Sequence, residues 1–178
     1  MDECQEPGTR ASRRVSRRDA LRALAAVGAG TLMPGAGSAA GARIERAIPS
    51  SGERLPAIGM GSWQSFDVGS DAAARAAAKG VLRLFVERGG RLVDSSPMYG
   101  SSEAVLGDLA AELGVQAELF WATKVWTSGR DAGIRQMQDS LRLMRVKRMD
   151  LMQVHNLVDV GTHLATLREW KREGRVRY

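Results

Sequence analysis

Cysteine is almost absent: the 178 residues hold one, Cys4. It precedes the point, after Ala42, where a leading segment is expected to be removed. No disulfide framework and no thiol nucleophile can therefore be built in the remainder, and the redox compartment stays open. Histidine is nearly as scarce, with only His155 and His163. His163 falls in a predicted helix and His155 at a predicted strand end, so no two-histidine ligand spacing exists and no metal site is expected. Long apolar runs are missing too, since the stretch from Ala23 to Met33 is too short and too rich in glycine for a membrane span. No Gly-x-Gly-x-x-Gly follows the first predicted strand, which removes the main support for a doubly wound dinucleotide fold. Ser95 and Ser96 stand in no nucleophile elbow. The formal net charge is +6; residues 1–42 carry six Arg and four acids, leaving a net of +4 on the rest. Those charges are scattered over helix faces without a basic run, which argues for a solvated surface rather than a nucleic-acid footprint.

What is present begins with Arg13-Arg14-Val15-Ser16-Arg17-Arg18, the weakly apolar run to Met33, Pro34, and small residues up to Ala40-Gly41-Ala42. A basic segment, a short apolar segment and a small-residue cleavage site in that order read as a signal peptide over 1–42. Ser16-Arg17-Arg18 followed by Leu21 resembles the twin-arginine signal that carries folded proteins. The expectation is a periplasmic or secreted protein handled by the twin-arginine machinery, with a cytoplasmic one as the alternative.

Residues 43–48 and 54–58, separated by Pro49-Ser50-Ser51-Gly52, predict a hairpin leading into a first strand. Amphipathic helices are predicted over 71–87 with Ala77, Val81, Leu84 and Phe85 inward, and over 103–113 behind a Ser102 cap with Val105, Leu106, Leu109 and Leu113 inward. A third spans 134–145 with Ile134, Met137, Leu141 and Met144 inward, and a fourth runs from a Thr162 cap to Gly174 with Leu164 and Leu167 inward. Apolar runs ending at Asp94, Lys124 and His155 alternate with them. Strict strand–helix alternation predicts an α/β protein with a parallel sheet.

In a parallel β/α architecture the carboxyl ends of strands form the active-site face. Three consecutive strand ends deliver Asp94 with Tyr99, then Lys124, then His155. A phenol, with an ordinary pKa of about 10, is a poor proton donor at neutral pH unless a cation favours the phenolate. Lys124 supplies such a cation, Asp94 a carboxylate for it, and His155 a hydrogen-bond donor for a carbonyl oxygen. Gly59 and Gly61 predict a loop whose backbone can approach a ligand closely, with an ordinary Gly-rich turn as the plain alternative. A lone Tyr, Asp or His is more often packing, cap or satisfied core; the joint position is what carries the functional reading.

Taken with Gly59-Met60-Gly61-Ser62-Trp63, Asp94-Ser95-Ser96-Pro97-Met98-Tyr99-Gly100, Glu103, Leu106-Gly107, Ala122-Thr123-Lys124-Val125-Trp126 and Asp150-Leu151-Met152-Gln153-Val154-His155-Asn156, the chain resembles the aldo/keto reductase family from about Ile44 to Tyr178. The resemblance implies a TIM (β/α)₈ barrel, here its first four β/α units after a hairpin, as domain 43–178. It implies a catalytic tetrad of Asp94, Tyr99, Lys124 and His155, contacts to an NADPH (NADP) cofactor from Gly61, Ser62 and Asp94, and a substrate pocket of Trp63, Trp126 and Asn156. The implied reaction is reduction of a small-molecule aldehyde or ketone with Tyr99 as general acid. Asn156 stands where some members place an aromatic residue, so no substrate class carries over. A barrel needs ~250 residues, and this chain ends where strand five would begin, so a truncated half barrel of marginal stability, weak NADPH binding and homodimer formation are further expectations. The rival expectation is a non-catalytic nucleotide- or partner-binding protein of the same fold.

Overall fold

Short apolar runs and amphipathic helices alternate along the chain in the computed structural model, which describes residues 43–178. The predicted signal segment lies outside the described residues. Strands β1 (Glu45–Ala47) and β2 (Arg54–Pro56) pair antiparallel, with Glu45 opposite Pro56, across a turn closed by Gly52 at φ 74°. Strands β3 (Met60–Gly61), β4 (Leu92–Asp94), β5 (Phe120–Val125) and β6 (Leu151–Val154) then form a parallel sheet in the order β3-β4-β5-β6. The last residues continue beside β6: Val176 bridges Met149 in parallel, and Tyr178 N–H donates to Asp150 O at 2.8 Å.

Helices α1 (Ala72–Glu87), α2 (Ser102–Leu113), α3 (Arg130–Leu143) and α4 (Val160–Arg172) connect or follow the strands. The core lies between sheet and helices, where Val93, Trp121 and Val125 meet Leu82, Leu106, Leu109, Met137, Leu167 and Trp170 in one cluster. Each such fully buried large apolar side chain contributes about 1.5–3 kcal/mol relative to exposure. Alternation along β5 sends Trp121, Thr123 and Val125 into this layer and places Lys124 on the opposite face.

Several helix details differ from the sequence expectation. In α1 the buried residues are Ala78 and Leu82, whereas Val81 and Leu84 are 56% and 50% exposed. An alanine-rich helix with apolar residues at 81, 82, 84, 85 and 86 offers overlapping stripes, and only the sheet decides which one is used. The rejected stripe joins Ile44, Pro56 and Ile58 in lining an open apolar groove of about 590 Å³. Helix α2 begins at Ser102 after Ser101, because the Ser102 hydroxyl is buried and donates to Ser62 O at 3.3 Å instead of capping. Helix α3 begins at Arg130, four residues before Ile134, since Gly129 at φ 85° turns the chain into the helix there. Helix α4 begins at Val160 behind Asp159; Thr162 lies inside it, and Leu164 is 41% exposed while His163, Thr166, Leu167 and Trp170 are buried.

Candidate active site

Parallel pairing fixes which strand ends become neighbours. Gly61 on β3 is the register partner of Asp94 on β4, and Lys124 on β5 is the partner of Gln153 on β6. From this frame Lys124 Nζ donates to Asp94 Oδ2 at 2.5 Å and to Ser95 O at 2.7 Å. The ammonium side chain is only 12% exposed, so two close acceptors are what make its burial tolerable. Gln153 Nε2 donates to Asp94 Oδ1 at 3.0 Å, so both oxygens of the carboxylate are held.

Tyr99 is placed by a tight turn, its N–H donating to Ser96 O at 2.9 Å. The turn brings the phenol ring to 5.2 Å from Lys124 Nζ, within cation–π range. His155 opens the tight turn His155–Leu157 after β6, in which Asn156 and Leu157 take left-handed φ of 51° and 55°, and its ring stands perpendicular to that of Tyr99 with centroids 5.9 Å apart. Ser96 Oγ lies 3.0 Å from His155 Nδ1. Partial burial first, and the Lys124 ammonium second, hold the imidazole below the usual histidine pKa against the opposing pull of Asp94. The structure thus brings Asp94, Tyr99, Lys124 and His155 to one place.

Trp63 and Trp126 stand on either side, 6.4 Å from Tyr99 and 6.4 Å from His155 respectively, and both are partly open to solvent. Gln136 on α3 holds the Trp126 backbone from both sides: Trp126 N–H donates to Gln136 Oε1 at 2.6 Å, and Gln136 Nε2 donates to Trp126 O at 3.2 Å. Asn156 is exposed with a left-handed φ of 51°. Gly61 is exposed, and a Cβ built there would meet no atom within 4 Å, so its bare backbone faces open space next to Asp94. Gly59 is different. Its Cβ would stand 2.6 Å from Leu92 Cδ2, so packing and not ligand approach requires glycine there. Ser62 is buried, donating from its N–H to Asp94 O at 3.0 Å and from its hydroxyl to Ser95 Oγ at 2.9 Å, which turns the side chain inward.

Two groups at the site lay outside the sequence reading. Gln153 had a signal, because it lies two residues before His155 in a run where alternate residues share a face. Ser96 had none beyond its place between Asp94 and Tyr99, since its partner is 59 residues away.

Behind β5, Glu103 on α2 is 2% exposed and accepts from Thr123 Oγ1 at 2.6 Å. Ser140 faces the same carboxyl, but its buried hydroxyl reaches no partner at ordinary hydrogen-bond geometry. Burial raises the Glu103 pKa, outweighing the hydroxyl donors and the Lys124 charge that oppose it. The folded chain therefore binds this proton more tightly than the unfolded chain does. Its contribution to stability is fully present below the ordinary glutamate pKa and is lost as pH rises through the higher folded value. Glu103→Gln, which cannot ionise, is expected to flatten that loss as pH rises above the ordinary glutamate range. Urea unfolding of both proteins across this range checks it, and identical pH profiles would count against a proton held on Glu103.

The aldo/keto reductase family model matches residues 57–178, and the chain belongs to that family. Its parallel α/β sheet is consistent with part of the family barrel. Among its relatives, a methylglyoxal reductase of Escherichia coli (strain K12), YeaE, is 34% identical over 116 residues, 62% of this chain and 39% of the relative. An NADPH-dependent codeinone reductase of Papaver somniferum is 32% identical over 119 residues, 62% of this chain and 35% of the relative. An aldo/keto reductase from Klebsiella pneumoniae, solved in complex with NADP and acetate, superposes with a TM-score of 0.63 at 23% identity, covering 75% of this chain and 48% of that one. At that identity the likeness shows the fold. The chain spans less than half the length of these relatives.

Proposed function

We propose that this chain carries the proton-transfer half of an NADPH-dependent reductase of aldehydes or ketones, and that its sheet forms the first four units of a (β/α)₈ barrel behind the β1–β2 hairpin. The observation that carries the reading is the partly buried Lys124 ammonium, set between the Asp94 carboxylate at 2.5 Å and the Tyr99 ring at 5.2 Å. A cation fixed in that position favours the phenolate left when Tyr99 gives up its proton.

The residues at the mouth fit the nicotinamide end of the cofactor. Gly61 presents open backbone beside Asp94, and the pocket walls are aromatic. Gly61 and Asp94 would hold that end, with Ser62 contributing through the backbone position it fixes. A bound reduced nicotinamide supplies a hydride for the carbonyl carbon. The chain's own residues do the rest: Tyr99 delivers a proton to the carbonyl oxygen, Lys124 stabilises the resulting phenolate, Asp94 and Ser95 O hold Lys124, and His155 donates to the carbonyl oxygen to orient it. Trp63 and Trp126 flank the substrate, with Asn156 at the rim. The relative YeaE is a methylglyoxal reductase by name, which makes methylglyoxal the first substrate to try. NADPH consumption with methylglyoxal is to be followed for the 178-residue chain alone and for the chain joined to the second half of a homologous reductase. Carbonyl-dependent consumption in at least one form is expected; its absence from both would sink the proposal.

A further inference from the structure

We infer that Ser96 is a positioning residue that locks His155 as the neutral imidazole with its proton on Nε2. The Ser96 hydroxyl is closed to solvent, so the hydrogens around it can be counted. Ser96 is 0% exposed, and its hydroxyl oxygen has two partners, Met98 N at 3.4 Å and His155 Nδ1 at 3.0 Å. A backbone N–H only donates, so the Met98 contact makes Ser96 Oγ an acceptor. The hydroxyl carries a single proton, and among the described residues the one acceptor within reach of it is Nδ1. Nδ1 must therefore be the unprotonated nitrogen, and a neutral ring with an unprotonated Nδ1 carries its proton on Nε2.

The reverse arrangement fails the same count. With a proton on Nδ1, in the other tautomer or in the imidazolium, Ser96 Oγ would receive two donors and its own proton would be buried without an acceptor, a costly state. Ser96 thus disfavours protonation of the ring as well as the wrong tautomer. The charged and titratable groups facing the ring act in the same place: Lys124 from β5 opposes a second positive charge, Asp94 from β4 favours it, and Tyr99 from the following loop meets the ring edge-on. Because Ser96 O also accepts from Tyr99 N–H at 2.9 Å, one residue sets both the turn that places the phenol and the tautomer of the imidazole. The consequence for catalysis, a permanent Nε2–H donor for the carbonyl oxygen, rests on the proposed function; the tautomer itself does not.

Nitrogen-detected NMR of the ¹⁵N-histidine-labelled chain tests the inference without any turnover. Only two histidines are present, and His163 is an internal standard, because its Nε2 lies 2.6 Å from Thr127 O and has to donate to that carbonyl. The expected spectrum has His155 Nδ1 as the unprotonated nitrogen and Nε2 as the protonated one, with His155→Asn giving the assignment. Ser96→Ala is expected to shift the tautomer ratio about five- to tenfold toward Nδ1–H, the change that one lost hydrogen bond produces, and to raise the pH at which the ring titrates. A wild-type spectrum with the proton on Nδ1 would overturn the inference before any variant is made. So would a folded Ser96→Ala protein whose tautomer ratio and titration match the wild type. If the tautomer is as inferred but His155→Asn reduces carbonyls at the normal rate, the role given to His155 falls and the role of Ser96 in setting its tautomer stands.

Discussion

Tyr99→Phe is expected to lose about 10²–10⁴-fold in the rate of carbonyl reduction, the usual contribution of a positioned general acid. Whichever form of the protein turns over is the one to assay. The substitution removes a single oxygen and leaves the ring, so the contacts that place it persist. The Trp63 indole 6.4 Å away, the Lys124 ammonium 5.2 Å from the centroid and the His155 edge at 5.9 Å all meet the ring rather than the hydroxyl. Fold and cofactor affinity are for that reason expected to stay close to wild type, and the loss to fall on kcat more than on KM. The Lys124–Asp94 pair should survive as well, because its hydrogen bonds run to Asp94 and Ser95. Turnover by the Phe variant at the wild-type rate would remove Tyr99 from the mechanism; a lost rate with unchanged NADPH affinity supports it. A parallel loss of affinity and fold would point instead to a structural part for the hydroxyl.

How much of this was legible beforehand follows the range of the forces involved. Strand ends carry their chemistry in short local strings, so Asp94, Tyr99, Lys124 and His155 could be picked from their positions after apolar runs, and the parallel sheet then set them side by side. The elements that failed depend on contacts made across the sequence. Residues 81 and 84 look as inward as 82 and 85 until the sheet selects a face, and Ser102 looks like a cap until Ser62, 40 residues away, takes its hydroxyl. Gly59 and Gly61 read alike as loop glycines, yet one is compelled by Leu92 and the other faces open space. Ser96 is the extreme case, since a buried serine shows its purpose only when its hydrogen-bond partners are counted.

Gly107 makes the same point with a large effect on stability. In the sequence it is the second residue of Leu106-Gly107, inside a helix where glycine costs about 0.8–1 kcal/mol relative to alanine. A position that merely tolerated glycine would gain from Gly→Ala. In the structure a Cβ at Gly107 would stand 2.2 Å from Leu143 O and 2.8 Å from both Cα and carbonyl C of Met144. These are backbone atoms where α3 ends, and no rotamer change moves them aside. The helices must separate or α2 must shift, and the buried neighbours Leu106, Leu109 and Met144 share one core cluster that would be disturbed. Overpacking of this kind costs about 1–3 kcal/mol and occasionally more, which outweighs the gain in helix propensity. Gly107→Ala is therefore expected to destabilise the chain, and Gly107→Val to do so more severely. Gly80, inside α1, is the control: a Cβ there meets nothing within 4 Å, so Gly80→Ala should stabilise by up to about 1 kcal/mol. Urea unfolding midpoints of the single variants read both signs in one experiment. A Gly107→Ala protein as stable as Gly80→Ala would show that α2 and α3 do not approach each other this closely.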